Sequence, residues 1–143
     1  MIEIREMKLE DLQKIKDFSE FDDFWNFDIL KQDFFTSGTT YYILLQNDEI
    51  VGLLGINQIM DIVEIRNIAV KKIYRGKGFG KDLLTYFLKE VQKNDTIQKI
   101  ELEVNEKNEI AIQLYKKQGF KEVGRRKKYY NNQDDAILMN FEK

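Results

Sequence analysis

Ile2 and Ile4 alternate with Glu3 and Arg5, the period-two pattern of a short, half-buried strand. Leu9, Leu12, Ile15 and Phe18 then recur at helical spacing. Glu10 and Asp11 put acids in the first turn, where the helix dipole favours them. Phe27, Leu30 and Phe34 mark a second, aromatic helix after the irregular segment Phe21-Asp22-Asp23-Phe24-Trp25. Ser37-Gly38-Thr39 breaks that pattern. Residues 41–45, 50–56 and 62–70 read as strands, with Asn47-Asp48 turning between the first two. Their short spacing predicts an antiparallel meander.

Leu83, Leu84, Phe87, Leu88 and Val91 form the clearest helical stripe, which stops at Asn94-Asp95. Ile100, Leu102 and Val104 alternate with Glu101 and Glu103 as a strand. Asn108 caps a helix carrying Ala111, Leu114 and Tyr115, and Gly119 closes it as a C′ residue. Strands over residues 120–130 and 136–141 flank the turn Asn131-Asn132-Gln133-Asp134. The order β-α-α-β-β-β-α-β-α-β-β predicts an α/β (α+β) fold: a mixed, mostly antiparallel sheet of about seven strands flanked by helices. Neither a repeat nor a linker interrupts it, so one domain over residues 1–143 is expected.

Composition narrows the chemistry. The chain has no Cys and no His, which removes the thiolate nucleophile, the commonest general base and the commonest metal ligands. No metal is expected. Carboxylates, Tyr, Lys, Ser/Thr and backbone groups remain. With 34% charged and 43% hydrophobic residues a soluble globular protein is expected. A net charge of -2 gives no global argument for direct nucleic-acid binding. The N-terminus lacks a signal-peptide pattern, and no apolar run approaches the ~18 residues of a membrane span. A cytoplasmic, membrane-free protein, monomeric or weakly dimeric, is therefore expected.

Arg75, Gly76, Lys77, Gly78, Phe79, Gly80 and Lys81 join a strand to the strongest helix. Alternate glycines let backbone N–H groups converge on an anion, and the helix start adds its positive dipole end. A dinucleotide fingerprint needs G-x-G-x-x-G, and a P-loop needs Ser or Thr after Gly-Lys; neither fits this spacing. The bland alternative is a flexible basic turn.

With its flank Asn67-Ile68-Ala69-Val70, the loop resembles the signature of the Gcn5-related N-acetyltransferase (GNAT) superfamily. The resemblance implies that the loop's N–H groups hold the pyrophosphate of acetyl-CoA as cosubstrate, and that Ile68, Ala69 and Val70 lie along the pantetheine arm. It also implies a bulge that splays this strand from the next, and an N–H near Val70 facing the thioester carbonyl, where it would stabilise an oxyanion.

The stretch from Leu102 through Gly119-Phe120 and Gly124-Arg125-Arg126-Lys127-Lys128-Tyr129-Tyr130 to Met139 resembles the bacterial ribosomal-protein-alanine N-acetyltransferase subfamily. That resemblance implies Glu103 as general base, Tyr115 as general acid and Asn108 as a cofactor contact. It implies a protein N-terminus as acceptor, that of a ribosomal protein. Read without it, Glu101 and Glu103 are also compatible with a solvated strand face, Tyr115 with a core aromatic, and Glu64 is the reserve base. For the acceptor, Trp25 with Asp22, Asp23 and Asp28 forms one candidate segment, and Tyr129 beside the basic run Arg125-Arg126-Lys127-Lys128 the other. The subfamily usually carries Pro-Trp where this chain has Phe24-Trp25. A plain edge strand blunted by charge also fits residues 125–130. Lysine side chains, polyamines and turnover-free acyl-CoA binding are the rival readings, with an RNA-contacting accessory role for residues 125–128 a further one that the net charge of -2 counts against.

Overall fold

The computed structural model describes all residues except 16–17, 22–25 and 131–132, together with the side chain of Phe18. Trp25, Asp22, Asp23, Phe24 and the Asn131-Asn132 turn thus lie outside the described residues. The strands are β1 (Ile2–Glu6), β2 (Thr39–Gln46), β3 (Glu49–Ile59), β4 (Ile62–Val70), β5 (Lys99–Asn105), β6 (Lys121–Tyr130) and β7 (Asp134–Glu142). They form one seven-stranded sheet in the order β1-β2-β3-β4-β5-β7-β6. Every neighbouring pair is antiparallel except β4 and β5. The helix between β4 and β5, α3 (Phe79–Lys93), supplies the crossover that parallel strands require.

Alternation along each strand sends side chains to two apolar layers. On one face Leu83, Leu84, Phe87 and Val91 of α3, with Ile112 and Tyr115 of α4 (Glu109–Lys117), pack with Leu54, Val63, Ile65, Ile100, Leu102 and Val104. On the other, Leu12 of α1 (Leu9–Lys14) and Leu30 of α2 (Phe27–Phe34) pack with Tyr41, Ile43, Leu53 and Ala69. Each fully buried aliphatic or Phe side chain contributes roughly 1.5–3 kcal/mol, so these layers fix the sheet's register.

α1 is shorter than the Leu9-to-Phe18 periodicity predicts. The Ile15 N–H turns back to Leu12 O at 3.1 Å and closes the helix; a 3-10 turn follows over Phe18–Glu20. Leu9, counted in the apolar stripe, is exposed. α4 behaves as its sequence predicts: Asn108 Oδ1 accepts the Ala111 N–H at 3.2 Å, and Gly119 follows the helix with φ +104°. Phe120, expected to open the next strand, precedes β6 and is buried beside Tyr115.

Candidate active site

The site begins where two strands part. β4 and β5 pair only over Ile62–Lys99, Val63–Ile100 and Glu64–Glu101. Asp61 O accepts the Gln98 N–H at 2.8 Å and anchors the two strands at their start. Beyond Glu64 they separate. β4 bulges there: Gly55 of β3 faces Asn67 while Ile56 faces Ile65, so Arg66 is the extra residue. After the bulge Ile68 and Val70 pack toward the α3 layer and Ala69 toward the α1–α2 layer. An elongated molecule entering the gap would meet all three along their backbone.

The gap leads to the glycine-rich loop. Gly76 (φ +82°) and Gly78 (φ +84°) adopt the left-handed region, and Gly78 caps α3 without a side-chain bond. A Cβ on either would meet nothing within 4 Å, so glycine is required by backbone angle, not by crowding from the protein. Residues 79–81 open α3, where N–H groups lack intrahelical acceptors. Among the described residues, none of the N–H groups of residues 76–81 has a backbone or side-chain acceptor outside that helix. A run of unsatisfied donors at a helix start suits a pyrophosphate, and this donor set fits acetyl-CoA. The Arg75 side chain also holds the loop in place. Its Nη2 donates to Phe21 O at 2.7 Å and its Nε to Val70 O at 3.2 Å, tying the loop to β4 and to the end of the first helical segment. Lys77 lies over the Tyr74 ring at 5.6 Å.

Beyond the last β4–β5 pair, Glu103 emerges from β5 on the α2 side of the sheet, half-buried, with Oε1 3.1 Å from Arg126 Nη2. Glu101 shares that face and pairs with Lys99 at 3.5 Å. Tyr115 lies on the opposite face at 4% exposure, and burial pushes its phenol far above the ordinary range, with a smaller contribution from Tyr130. Its hydroxyl donates to no described residue. Tyr130 is half-buried between the two; burial and then the Glu103 carboxylate raise its pKa. Tyr129 is half exposed, packed edge-to-face with Tyr130 and beneath the Arg126 guanidinium. The basic run is locally compensated: Arg125 and Lys127 reach Asp135, and the Lys128 N–H donates to it at 2.9 Å.

A protein-family model described as the acetyltransferase (GNAT) family matches residues 1–120. The chain belongs to that family. This acetyltransferase is 34% identical over 140 residues to a candidate [ribosomal protein bS18]-alanine N-acetyltransferase of Bacillus subtilis, covering 95% of this chain and 92% of that one. It is 35% identical over 121 residues to the [ribosomal protein bS18]-alanine N-acetyltransferase of Haemophilus influenzae, covering 80% of each. The crystal structure of the ribosomal-protein-S18-alanine N-acetyltransferase from Escherichia coli superposes with a TM-score of 0.90 at 26% identity, over 99% of this chain and 94% of that one. The fold extends to Arabidopsis thaliana NAA60 in complex with acetyl-CoA, at TM-score 0.83 and 20% identity, over 99% and 98% of the two chains. Acetyl-CoA is the donor this family uses.

Within this acetyltransferase the strand split lies between the two edges that carry residues 66–70 of β4 and Glu103 of β5. Asn108 Oδ1 is engaged in the helix cap. Among the described residues no three His, Cys, Asp or Glu side chains gather as a metal site. No helix among them is long and apolar enough to cross a membrane. Sequence reasoning missed Arg66 and Asp33. One signal was available: Val63 and Ile65 alternate in one phase and Ile68 and Val70 in the other, and a phase slip in a strand marks a bulge.

Proposed function

We propose that this single-domain acetyltransferase acetylates a protein N-terminal α-amine, that of the N-terminal alanine of ribosomal protein bS18. Similarity over 95% of the chain to a candidate bS18-alanine N-acetyltransferase carries this reading. Acetyl-CoA supplies an activated thioester. The free N–H groups of residues 76–81 hold its pyrophosphate, and the β4 edge at Ile68, Ala69 and Val70 lines the arm. An α-amine has a pKa of about 8 and is largely protonated near neutrality. Glu103, at the open end of the gap, removes that proton directly or through a water. The leaving thiolate has a conjugate acid near pKa 8.5, and the Tyr115 phenol, which stays protonated, supplies its proton. Tyr129, half exposed beneath the Arg126 guanidinium that pairs with Glu103, is the acceptor-side contact on this reading.

Thiol release from acetyl-CoA, measured over a panel of N-terminal peptides, lysine peptides and polyamines, tests it. Turnover confined to peptides beginning with Ala is expected. Turnover only with lysine side chains or polyamines would replace the acceptor, and no turnover with any amine would reduce the protein to an acyl-CoA binder.

A further inference from the structure

The β4 bulge is held by a buried charge. Arg66, the extra residue, sends its side chain to the α2 face, where Nε and Nη2 donate to Asp33 Oδ1 at 3.1 and 2.9 Å. Its remaining nitrogen, Nη1, donates to Glu64 Oε1 at 2.9 Å, on the last residue of β4 that pairs with β5. Asp33, near the end of α2, is 5% exposed. Its second oxygen accepts the Tyr41 hydroxyl at 2.6 Å. The Tyr41 ring lies across Gly55, where a Cβ would come within 2.3 Å of it, and Gly55 is the β3 residue opposite the bulge. One guanidinium thus joins α2, the bulge and the last β4–β5 pair.

Strands that part leave N–H and C=O groups on both edges without partners, and continued pairing would satisfy them. An open gap therefore needs a device that opposes closure. A pair of charge-assisted hydrogen bonds to one oxygen of a buried carboxylate is strong and directional, and it grips the residue whose displacement makes the bulge. Sliding β4 toward β5 would pull Arg66 off Asp33 and strand a buried carboxylate.

We propose that Arg66 is a positioning residue: its bridge to Asp33 holds β4 away from β5 and keeps open the gap that receives the pantetheine arm. The inference rests on the proposed placement of the pantetheine arm along β4, and it does not depend on the choice of acceptor. Its test uses the whole chain without acceptor, with coenzyme A as the probe. In Arg66→Ala, calorimetry should show binding weakened about tenfold or more. Hydrogen exchange should show slower exchange at the gap-facing amides of residues 66–70 and 102–105, because the strands close. Arg66→Lys, which keeps a cation near Asp33, should recover part of the affinity. Native affinity in a folded Arg66→Ala variant would overturn the proposal. So would weakened binding with faster exchange at those amides, which is plain loosening. If Arg66→Ala does not fold, Arg66→Lys and Arg66→Gln decide it: affinity should fall from Arg to Lys to Gln, and equal affinities would overturn it. Failure of every acceptor peptide would leave these readouts unaffected.

Discussion

Glu103 and Tyr115 lie on opposite faces of the sheet, Glu103 on the open α2 side and Tyr115 in the layer with Leu102 and Val104. A molecule threaded through the β4–β5 gap would pass between them. Their removal should therefore have separable effects. Glu103→Gln should leave coenzyme A affinity near native and lower kcat by roughly 10²–10⁴-fold, most of all at lower pH where free amine is scarce. Tyr115→Phe should slow thiol release without changing the acid limb. The Tyr115 phenol is held above its ordinary range, so the basic limb of the native profile should not come from it. A rate for Glu103→Gln equal to native across the pH range would remove Glu103 from the role.

The glycines of the loop should not behave alike. Gly78 stands at φ +84° in open space, so Gly78→Ala costs about 1–2 kcal/mol of backbone strain and places a methyl in the proposed path of the pyrophosphate. Coenzyme A binding should weaken strongly. Gly80 is inside α3, and a Cβ there would meet Leu114 and Val70 at ordinary contact, 3.9 and 4.0 Å. Gly80→Ala should raise stability by about 0.5–1 kcal/mol through helix propensity. Paired melting curves and calorimetry check both; equal binding losses would show that the two are not distinguished by backbone angle.

Much of this was legible along the chain, for local reasons. The α3 stripe, the Asn108 cap and the Gly119 stop are encoded within a few residues, and all stand where periodicity and capping put them. The glycine loop was legible as a glycine-dependent turn into α3 because its spacing and its place before the helix are both sequence-local. What was not legible depends on distant partners. That β7 lies between β5 and β6 is a fact of long-range pairing, and the parting of β4 from β5 after three pairs was expected only through the family resemblance. Asp33 and Arg66 sit 33 residues apart and meet only in the fold. The Arg75 side chain's carbonyl partner on Phe21 is likewise distant in sequence and invisible along the chain.

Gly55 offers a check on the geometry opposite the bulge. Its ideal Cβ would lie 2.3 Å from the Tyr41 ring, whose hydroxyl is bound to Asp33. Both ring and carboxylate are buried, so the ring cannot swing into solvent. Gly55→Ala should destabilise the protein by about 1–3 kcal/mol through overpacking. Gly55→Ala combined with Tyr41→Leu should cost less than the sum of the single changes, since the clash is shared. Simple additivity in urea unfolding would disprove the contact.

At low pH the first element to weaken should be α1. Arg5 Nη1 and Nη2 grip Asp11 at 2.7 and 2.8 Å, and the Lys8 N–H adds a third bond at 2.8 Å. These hold the Asp11 carboxyl at about 2 against an ordinary 3.8, with the Arg5 bond the largest cause. The folded pKa is depressed, so the contribution is complete above about pH 4 and disappears as pH falls through about 2. It amounts to about 2 kcal/mol. Asp11→Asn should lower the urea midpoint near neutrality and flatten its decline between those values. An equally steep decline in the variant would place the acid sensitivity elsewhere.

Alkaline pH should destabilise the fold from the opposite direction. Burial and then the Asp33 bond hold the Tyr41 phenol far above its ordinary range; burial does the same for Tyr115. Tyr42 is pushed up to about 12, by burial first and then by Glu6 and Glu90. In the unfolded chain all three lose their protons near pH ~10. Above that pH the unfolded state binds fewer protons than the folded one, so stability falls as pH rises. The urea midpoint should drop between about pH 9 and 11, with a parallel rise in phenolate absorbance on unfolding. Tyr42→Phe removes one of the three groups without removing its ring from the contacts with Tyr86 and Phe87, and should make the drop shallower. If Tyr42→Phe lost stability over this range as steeply as the native chain, ionisation of Tyr42 would have no part in it.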